Sequence, residues 1–403
     1  MADRAVVTGV GAVSSLGTSV AANWAALVDG RSGVGPITGS DARGFTGLSA
    51  AQLVGPEPGA LGIDARNARI MGRPGLMLLQ TGREALAQAK LGTSAAEPER
   101  IGFFAALGMV DPQPDDLRRA VIRSRGRDGI DYERFFADAY REIYPLWPLA
   151  MLNNVGFCVA AQLLGVRGEN AVFSPGADAA VVALAEAAAA VLGGRADAAL
   201  AAGASEGVSA ASVARSRLAR EWDRPKSAAA PGEAAGVLVV EPESRARSRN
   251  AQALAVVAGW GFAFGGEGEQ AAADAMRQAI ERARIEPYDV DAVLLDGEGG
   301  GEDGAAERAT VAGVFAGGGN PVMLTSRRSI GHALAGGAAL DALFAVLMVS
   351  TGEVPAALRA EVADQPHGAG QRAGWFQARP RHVLVNARSW DGHAASLLVA
   401  AAE

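Results

Sequence analysis

One cysteine, Cys158, among 403 residues leaves no material for an internal disulfide. That scarcity points to a reducing cytoplasm, not to a stapled secreted domain. Only four histidines stand beside it, too few N and S ligands for an ordinary structural zinc site, so no metal is expected. Lysine is nearly absent as well: Lys90 and Lys226 are the two, and the other 35 of the 37 basic side chains (37 − 2) are arginine. There is no excess of positive charge, since 37 basic against 44 acidic side chains give a net charge of −7, which argues against a nucleic acid or an anionic membrane as partner. Nor is there a clean membrane-length apolar run. The two longest, Ala179–Leu192 and Ala333–Ser350, are broken by Glu186 and Asp341 and rich in small residues, as buried helices of a soluble protein are. Asp3 and Arg4 lead straight into Ala5-Val6-Val7, which does not fit a signal peptide.

Small apolar residues fill the space that these absences leave. Hydrophobic residues make up 49% of the chain and aromatics only 5%, so the core must pack closely through Ala, Val and Leu. Short β-branched runs alternate with long Ala/Leu-rich stretches, the pattern of an α/β protein with buried sheets. Strands are expected at Ala5–Thr8, Gly102–Leu107, Asn170–Phe173, Ala198–Ala202, Gly236–Glu241, Ala253–Gly259, Ala292–Asp296, Pro321–Thr325, His382–Asn386 and Ser396–Ala400. Helices are expected at Ser19–Val28 and Leu76–Ala89, each stopped by a glycine, and at Gly176–Leu192 and Ala333–Ser350, which are apolar nearly all round. The last two each follow a strand and a small-residue turn. That similarity suggests a duplication, with one half over residues 1–250 and the other over 251–403. Residues 111–148 interrupt the first half with Asp/Pro turns and an Arg-rich stretch holding Tyr132, Tyr140 and Tyr144. They read either as a partner-facing surface or as an excursion packed on its own domain.

Four constellations invite a chemical reading. Val7-Thr8-Gly9-Val10-Gly11 places glycines after a strand, as in a dinucleotide-binding turn, yet Ser14 stands where the third glycine belongs. Asp296 to Glu307 follows the spacing of a calcium loop, but Gly300 occupies a ligand position and no helix precedes the stretch, so a flexible acidic turn is expected. Ser174, at a strand-to-helix corner, could pair with His332 in a hydrolase, although Val172 stands where a nucleophile elbow needs glycine. Cys158 lies in an apolar helical run and reads as a buried, inert thiol.

Motif order over residues 4–400 resembles that of the β-ketoacyl synthases. The similarity is carried by Arg4-Ala-Val-Val-Thr-Gly-Val-Gly-Ala-Val-Ser-Ser-Leu-Gly17, by Trp24-Ala-Ala-Leu27 and by Gly30-Arg-Ser-Gly-Val-Gly35. It continues in Gly193–Glu206, in Gly232–Glu241 and in Gly331-His332 followed by a small-residue helix. The resemblance implies a duplicated thiolase-like α/β fold, five-layered α-β-α-β-α with two buried mixed sheets. Active members of that family use a cysteine and two histidines. Carried over residue by residue, the cysteine position falls on Phe173, the first histidine on Asp296 and the family lysine on Arg327, while His332 and Glu307 are retained. A phenyl ring forms no thioester, and a carboxylate repels the anions that a histidine there stabilises.

The pattern is similar to that of the chain length factor, the noncatalytic partner of the ketosynthase in bacterial type II polyketide synthases. The resemblance implies a heterodimer with an active ketosynthase, acyl carrier protein reached through that complex, and no cofactor. Tunnel and interface candidates are Gly108, Met109, Val110, Leu146, Trp147 and Phe173, with Trp390 at a gating phenylalanine position. The strand Asn170–Phe173 is expected to pair across the dimer axis, and Phe173 suits a reduced, polyene-type product. The competing readings are a decarboxylase-like or hydrolytic relative using His332 and Ser174, and a plain stabilising scaffold.

Overall fold

The computed structural model describes residues 3–38, 48–91, 97–108, 110–111, 114–174, 176–214, 230–265, 268–297, 301–360, 374–376 and 379–402. The strands that carry the fold are β1 (Ala5–Ser14), β2 (Ile101–Leu107), β3 (Asn170–Phe173), β4 (Ala198–Glu206), β5 (Glu233–Pro242), β6 (Ala255–Phe264), β7 (Ala292–Leu294), β8 (Val322–Leu324), β9 (His382–Arg388) and β10 (His393–Ala401). Helices α1 (Ala65–Ala89), α2 (Asn153–Leu164) and α3 (Asp178–Leu192) belong to the first five strands. Helices α4 (Gly268–Ala283), α5 (Gly301–Val314) and α6 (Leu334–Thr351) belong to the second five.

Hydrogen bonding runs through the order β8-β7-β9-β10-β6-β1-β5-β4-β2-β3. Outward from β1 the neighbours are β5, β4, β2 and β3; outward from β6 they are β10, β9, β7 and β8, the same order shifted by five. The pairings repeat too: two antiparallel ladders next to the centre, then two parallel ones, in each half. The two expected sheets are thus two five-stranded arrays, joined where Val6 and Val7 of β1 meet Val256 and Ala255 of β6. Beyond that short ladder the strands part, and side chains take over the orphaned backbone donors. Gln88 and Glu84 of α1 accept the Val10 and Ala12 N–H groups, and Gln278 of α4 accepts that of Phe262.

One core layer holds α3 and α6 between the inward faces of both arrays, with Leu184, Leu238, Leu343, Phe344 and Val385 fully enclosed. A second layer seats α1 and α2 on the outer face of the first array, and a third seats α4 on the second. These are the five layers expected. Helix α6 is the one helix among the described residues long and apolar enough to cross a membrane, and it is 78% buried inside the fold.

Several expectations need correction. Gly9 and Gly11 are inside β1, not in a turn, and a Cβ would stand 2.2 Å from the Ala85 carbonyl oxygen or 2.0 Å from that of Thr81. Their role is to let α1 lie against the strand, and Gly259 and Gly261 do the same for α4, at 2.1 Å from Ala279 O and Ala275 O. Cys158 is exposed, because only one side of α2, including Gly156, Phe157 and Ala160, faces the core. The calcium-like stretch becomes helix α5 from Gly301 onward, so its second part is no flexible turn; Glu298 and Gly300 lie outside the described residues. Over residues 111–150 there are short helices at Pro114–Arg123, Tyr132–Ala137 and Trp147–Ala150, and Arg123 at the end of the first pairs with Asp138 and Glu142, which follow the second. Ile122, Tyr132 and Phe136 still face outward.

Candidate functional site

The polar cluster gathers at the carboxyl ends of the parallel strands β7, β8 and β9, where open α/β sheets place their sites. Asp296 follows β7, the Arg327–Ile330 helical turn follows β8, and Asn386 and Arg388 end β9. Helix α5 contributes Glu307 and α6 contributes Asp341. Gly331, at φ 66°, turns the chain from the short helix to His332. A Cβ there would lie 2.8 Å from the Ala230 oxygen, so glycine is required for conformation and space alike.

Arg327 is fully buried, and its guanidinium is held by polar groups on several sides. Its Nε donates to the Asp296 carbonyl at 2.8 Å, one Nη to Ser326 Oγ at 3.0 Å, and the other pairs with Asp296 Oδ1 at 3.2 Å and Asp341 Oδ2 at 2.8 Å. Ser326 donates in turn to the second Asp341 oxygen at 2.5 Å. His332 Nε2 stands 3.5 Å from the free side of Asp296. Glu307 accepts the backbone N–H groups of Asp296 and Gly297, both at 2.9 Å, and the Asn386 amide at 2.8 Å, with Arg388 3.4 Å away. Both end positions of the calcium-like spacing, Asp296 and Glu307, are therefore already engaged by protein groups.

Burial alone would push the Asp296 carboxyl up. The charges of His332, Arg327 and Arg388 overcome it and hold Asp296 well below the usual carboxylate range. Asp341 goes the other way: burial pushes it up to about 6 against the pull of Arg327 and Ser326, with the nearby Asp296 charge adding to the rise. Burial likewise disfavours the Arg327 cation, but Asp341 and Asp296 raise its pKa above the ordinary arginine value. The site is a buried ion cluster in which one carboxylate, that of Asp296, is firmly ionised.

On the other side of the site, Phe173 ends β3 half-buried against the central core, and Ser174 after it is exposed. The His332 imidazole is turned to Asp296, so the structure brings His332, Asp296, Arg327 and Glu307 together but gives no support to a Ser174–His332 pair. Gly108 closes β2 beside Ser205, where a Cβ would lie 3.2 Å from the hydroxyl oxygen. Val110 is half-buried and Met109 lies outside the described residues. Leu146 is exposed and Trp147 half-buried, its indole N–H enclosed with no acceptor among the described residues. Trp390 is 71% exposed on the loop after β9. From that loop Ser389 donates to Asp178 in the first turn of α3 and sits against Gly176.

Asp341, Ser326, Asn386, Ser389 and Asp178 were not among the residues expected at the site. For Asp341 a signal existed: a lone acid in an otherwise apolar helix must be paired or neutral.

The chain matches the family model described as "Beta-ketoacyl synthase, N-terminal domain" over residues 2–246, and that described as "Beta-ketoacyl synthase, C-terminal domain" over 254–361. It is 27% identical to Nodulation protein E of Rhizobium sp. (strain N33), over 87% of each chain. It is 30% identical to the tetracenomycin polyketide synthase ketoacyl synthase beta subunit of Streptomyces glaucescens, over 87% of this chain and 86% of that one. A solved structure, the ishigamide ketosynthase/chain length factor, superimposes with a TM-score of 0.83 at 24% identity, covering 100% of both chains, and so shares the fold.

Proposed function

Because the chain belongs to the β-ketoacyl synthase family, we propose that it is the chain length factor of a bacterial type II polyketide synthase. It heterodimerises with an active ketosynthase, lacks condensation chemistry of its own, and shapes the tunnel that holds the growing chain. The observation carrying this reading is the Asp296–Arg327–Asp341 ion cluster. Asp296 stands where the resemblance puts a charge-stabilising histidine, and it is an ionised carboxylate already engaged with Arg327 and His332. A carbanion or oxyanion developing beside this carboxylate would meet repulsion in a low-dielectric site. Phe173, at the position of the nucleophile, offers neither thiol nor hydroxyl. Asp178 in the first turn of α3 already uses the helix end that would favour a thiolate.

Gly108, Met109, Val110, Leu146, Trp147, Phe173 and Trp390 line the tunnel or the subunit interface. The exposed apolar side chains Leu146, Leu149, Met151 and Leu152 flank Trp147, whose indole N–H has no acceptor among the described residues, as suits a surface completed by a partner. The Phe173 ring narrows the pocket and favours a reduced, polyene-type product. Acyl carrier protein reaches the chain through the complex, which works in the cytoplasm. The two halves divide near residue 250, in line with the repeated strand order and with family models that end at 246 and resume at 254.

Co-expression with the ketosynthase of the same gene cluster tests the reading. A heterodimer is expected, and the isolated chain should neither condense nor decarboxylate malonyl-carrier protein. A stable homodimer that never copurifies with a ketosynthase overturns it.

A further inference from the structure

The loop between β9 and β10 is held at four points. Arg388, which enters it, reaches Glu307 of α5 at 3.4 Å. The Gly392 carbonyl accepts the Gly265 N–H at 3.2 Å; with φ at 92° and the Gly265 oxygen 2.5 Å from where a Cβ would stand, position 392 has room for glycine alone. The His393 ring, where the chain leaves the loop, packs at a tilt on Phe264, centroids 4.7 Å apart. These three anchors lie within the second half of the chain. The fourth crosses to the first half: the Ser389 hydroxyl donates to the Asp178 carboxylate in the first turn of α3.

The seat for that fourth contact is built into the backbone. Gly176 is buried against the loop, and a Cβ there would overlap the Ser389 hydroxyl oxygen and crowd the Asp178 carboxylate, so a glycine at 176 lets the loop come down onto α3. Within the loop the Ser389 N–H donates to the His393 carbonyl at 2.8 Å and the Gly392 N–H to the Ser389 carbonyl at 3.2 Å, so the turn holds its own shape. Ser389 and Asp178 are both half-buried, where a hydroxyl–carboxylate bond is stronger than a neutral one. Trp390, the next residue, is left projecting into solvent.

We infer that the Ser389–Asp178 contact is a latch: it keeps the loop seated on α3 and closes this chain's own site to the pantetheine arm of an acyl carrier protein, which leaves the arm to the ketosynthase. The inference rests on the heterodimer reading above. The loop starts at Arg388, beside the Asp296 cluster, and is tied to Asp178, just beyond Phe173 in the chain, so it bridges the two sides of the site. Release costs one charge-assisted hydrogen bond, and the glycines at 392 and 265 can take up the hinge.

Two measurements test the latch. In the free chain, hydrogen–deuterium exchange of the peptide covering the loop should be faster in Ser389→Ala than in wild type by roughly tenfold or more, the worth of one charge-assisted hydrogen bond. Asp178→Asn, whose amide oxygen still accepts, should stay near wild type, and Asp178→Ala is the alternative release should Ser389→Ala melt early. In the complex copurified with the ketosynthase of its gene cluster, Phe173→Cys places a thiol at the corner. Bromoacetyl-pantetheine is the probe, and adducts are mapped by mass spectrometry. That thiol should be alkylated roughly tenfold faster when Ser389→Ala is added, with Cys158 as the unchanged reference. Equal exchange in Ser389→Ala overturns the latch. Faster exchange with equal alkylation overturns the closure. Failure of the wild-type chain to bind any ketosynthase overturns the heterodimer reading and the routing of the arm with it, while the exchange measurement still decides the latch.

Discussion

Arg327→Leu removes the cation from two buried carboxylates and is the sharpest perturbation of the ion cluster. The wild-type guanidinium has four polar contacts, to the Asp296 carbonyl, the Asp296 carboxylate, Ser326 and Asp341, all between 2.8 and 3.2 Å, and none of its surface is exposed. Leaving one member of such a buried set unpaired costs about 3–5 kcal/mol. With about 2.1 cal/mol/K of unfolding entropy per residue, a chain of 403 residues has about 0.8 kcal/mol/K, so a loss of about 4 kcal/mol lowers Tm by about 5 °C. The assay is thermal unfolding by circular dichroism, with a double-mutant cycle through Asp341→Leu. The double variant should recover much of the loss, because an apolar pair replaces an ion pair at little net cost. A single variant within about 1 °C of wild type, or a double variant no better than the sum of its parts, would refute the view that these charges hold one another in place.

Other outcomes follow from the same geometry. Asp341 has its folded pKa raised to about 6 from 3.8, so its contribution to stability is complete below about pH 4 and is lost as pH rises through 6. Asp341→Asn should therefore gain about 3 kcal/mol relative to wild type between pH 4 and pH 7, measured by urea unfolding; a pH-independent difference contradicts the assignment. Gly9→Ala forces a methyl to within 2.2 Å of the Ala85 oxygen and should cost at least about 2 kcal/mol by pushing α1 off β1, read as a fall in the urea midpoint. Trp147→Ala or Met109→Ala should lengthen the polyketide or broaden its distribution by liquid chromatography–mass spectrometry. Unchanged products would remove those residues from the tunnel.

The strand framework was legible because β-branched runs bounded by small-residue turns are local signals, and each expected strand lies within or overlaps an observed one. The two apolar helices were legible for a similar reason, since a helix without a polar face can only be enclosed. Gly9 and Gly11 were misleading. A glycine needed for phosphate approach and one needed for helix approach look the same in a sequence, and only the Ala85 and Thr81 carbonyls opposite them decide. Cys158 misled for another reason: an apolar run signals burial on average, but Cys158 lies on the side of α2 turned away from Gly156, Phe157 and Ala160 and is exposed. At the site, Asp296, Arg327, His332 and Glu307 could be placed by motif position and Asp341 was marked by its apolar helix, whereas Asn386 and Ser389 enter through contacts spanning 79 and 211 residues of sequence, which no local pattern reveals.

Product analysis of the reconstituted complex tests the central claim most directly. The ketosynthase of the same gene cluster is supplied with malonyl-carrier protein alone, with this chain, and with this chain carrying Trp147→Ala, and this chain is also assayed without the ketosynthase. The account predicts no condensation or decarboxylation by the isolated chain, a defined product length only when both subunits are present, and a shifted length with the variant. Decarboxylation or condensation by the isolated chain, abolished by His332→Ala, would contradict it.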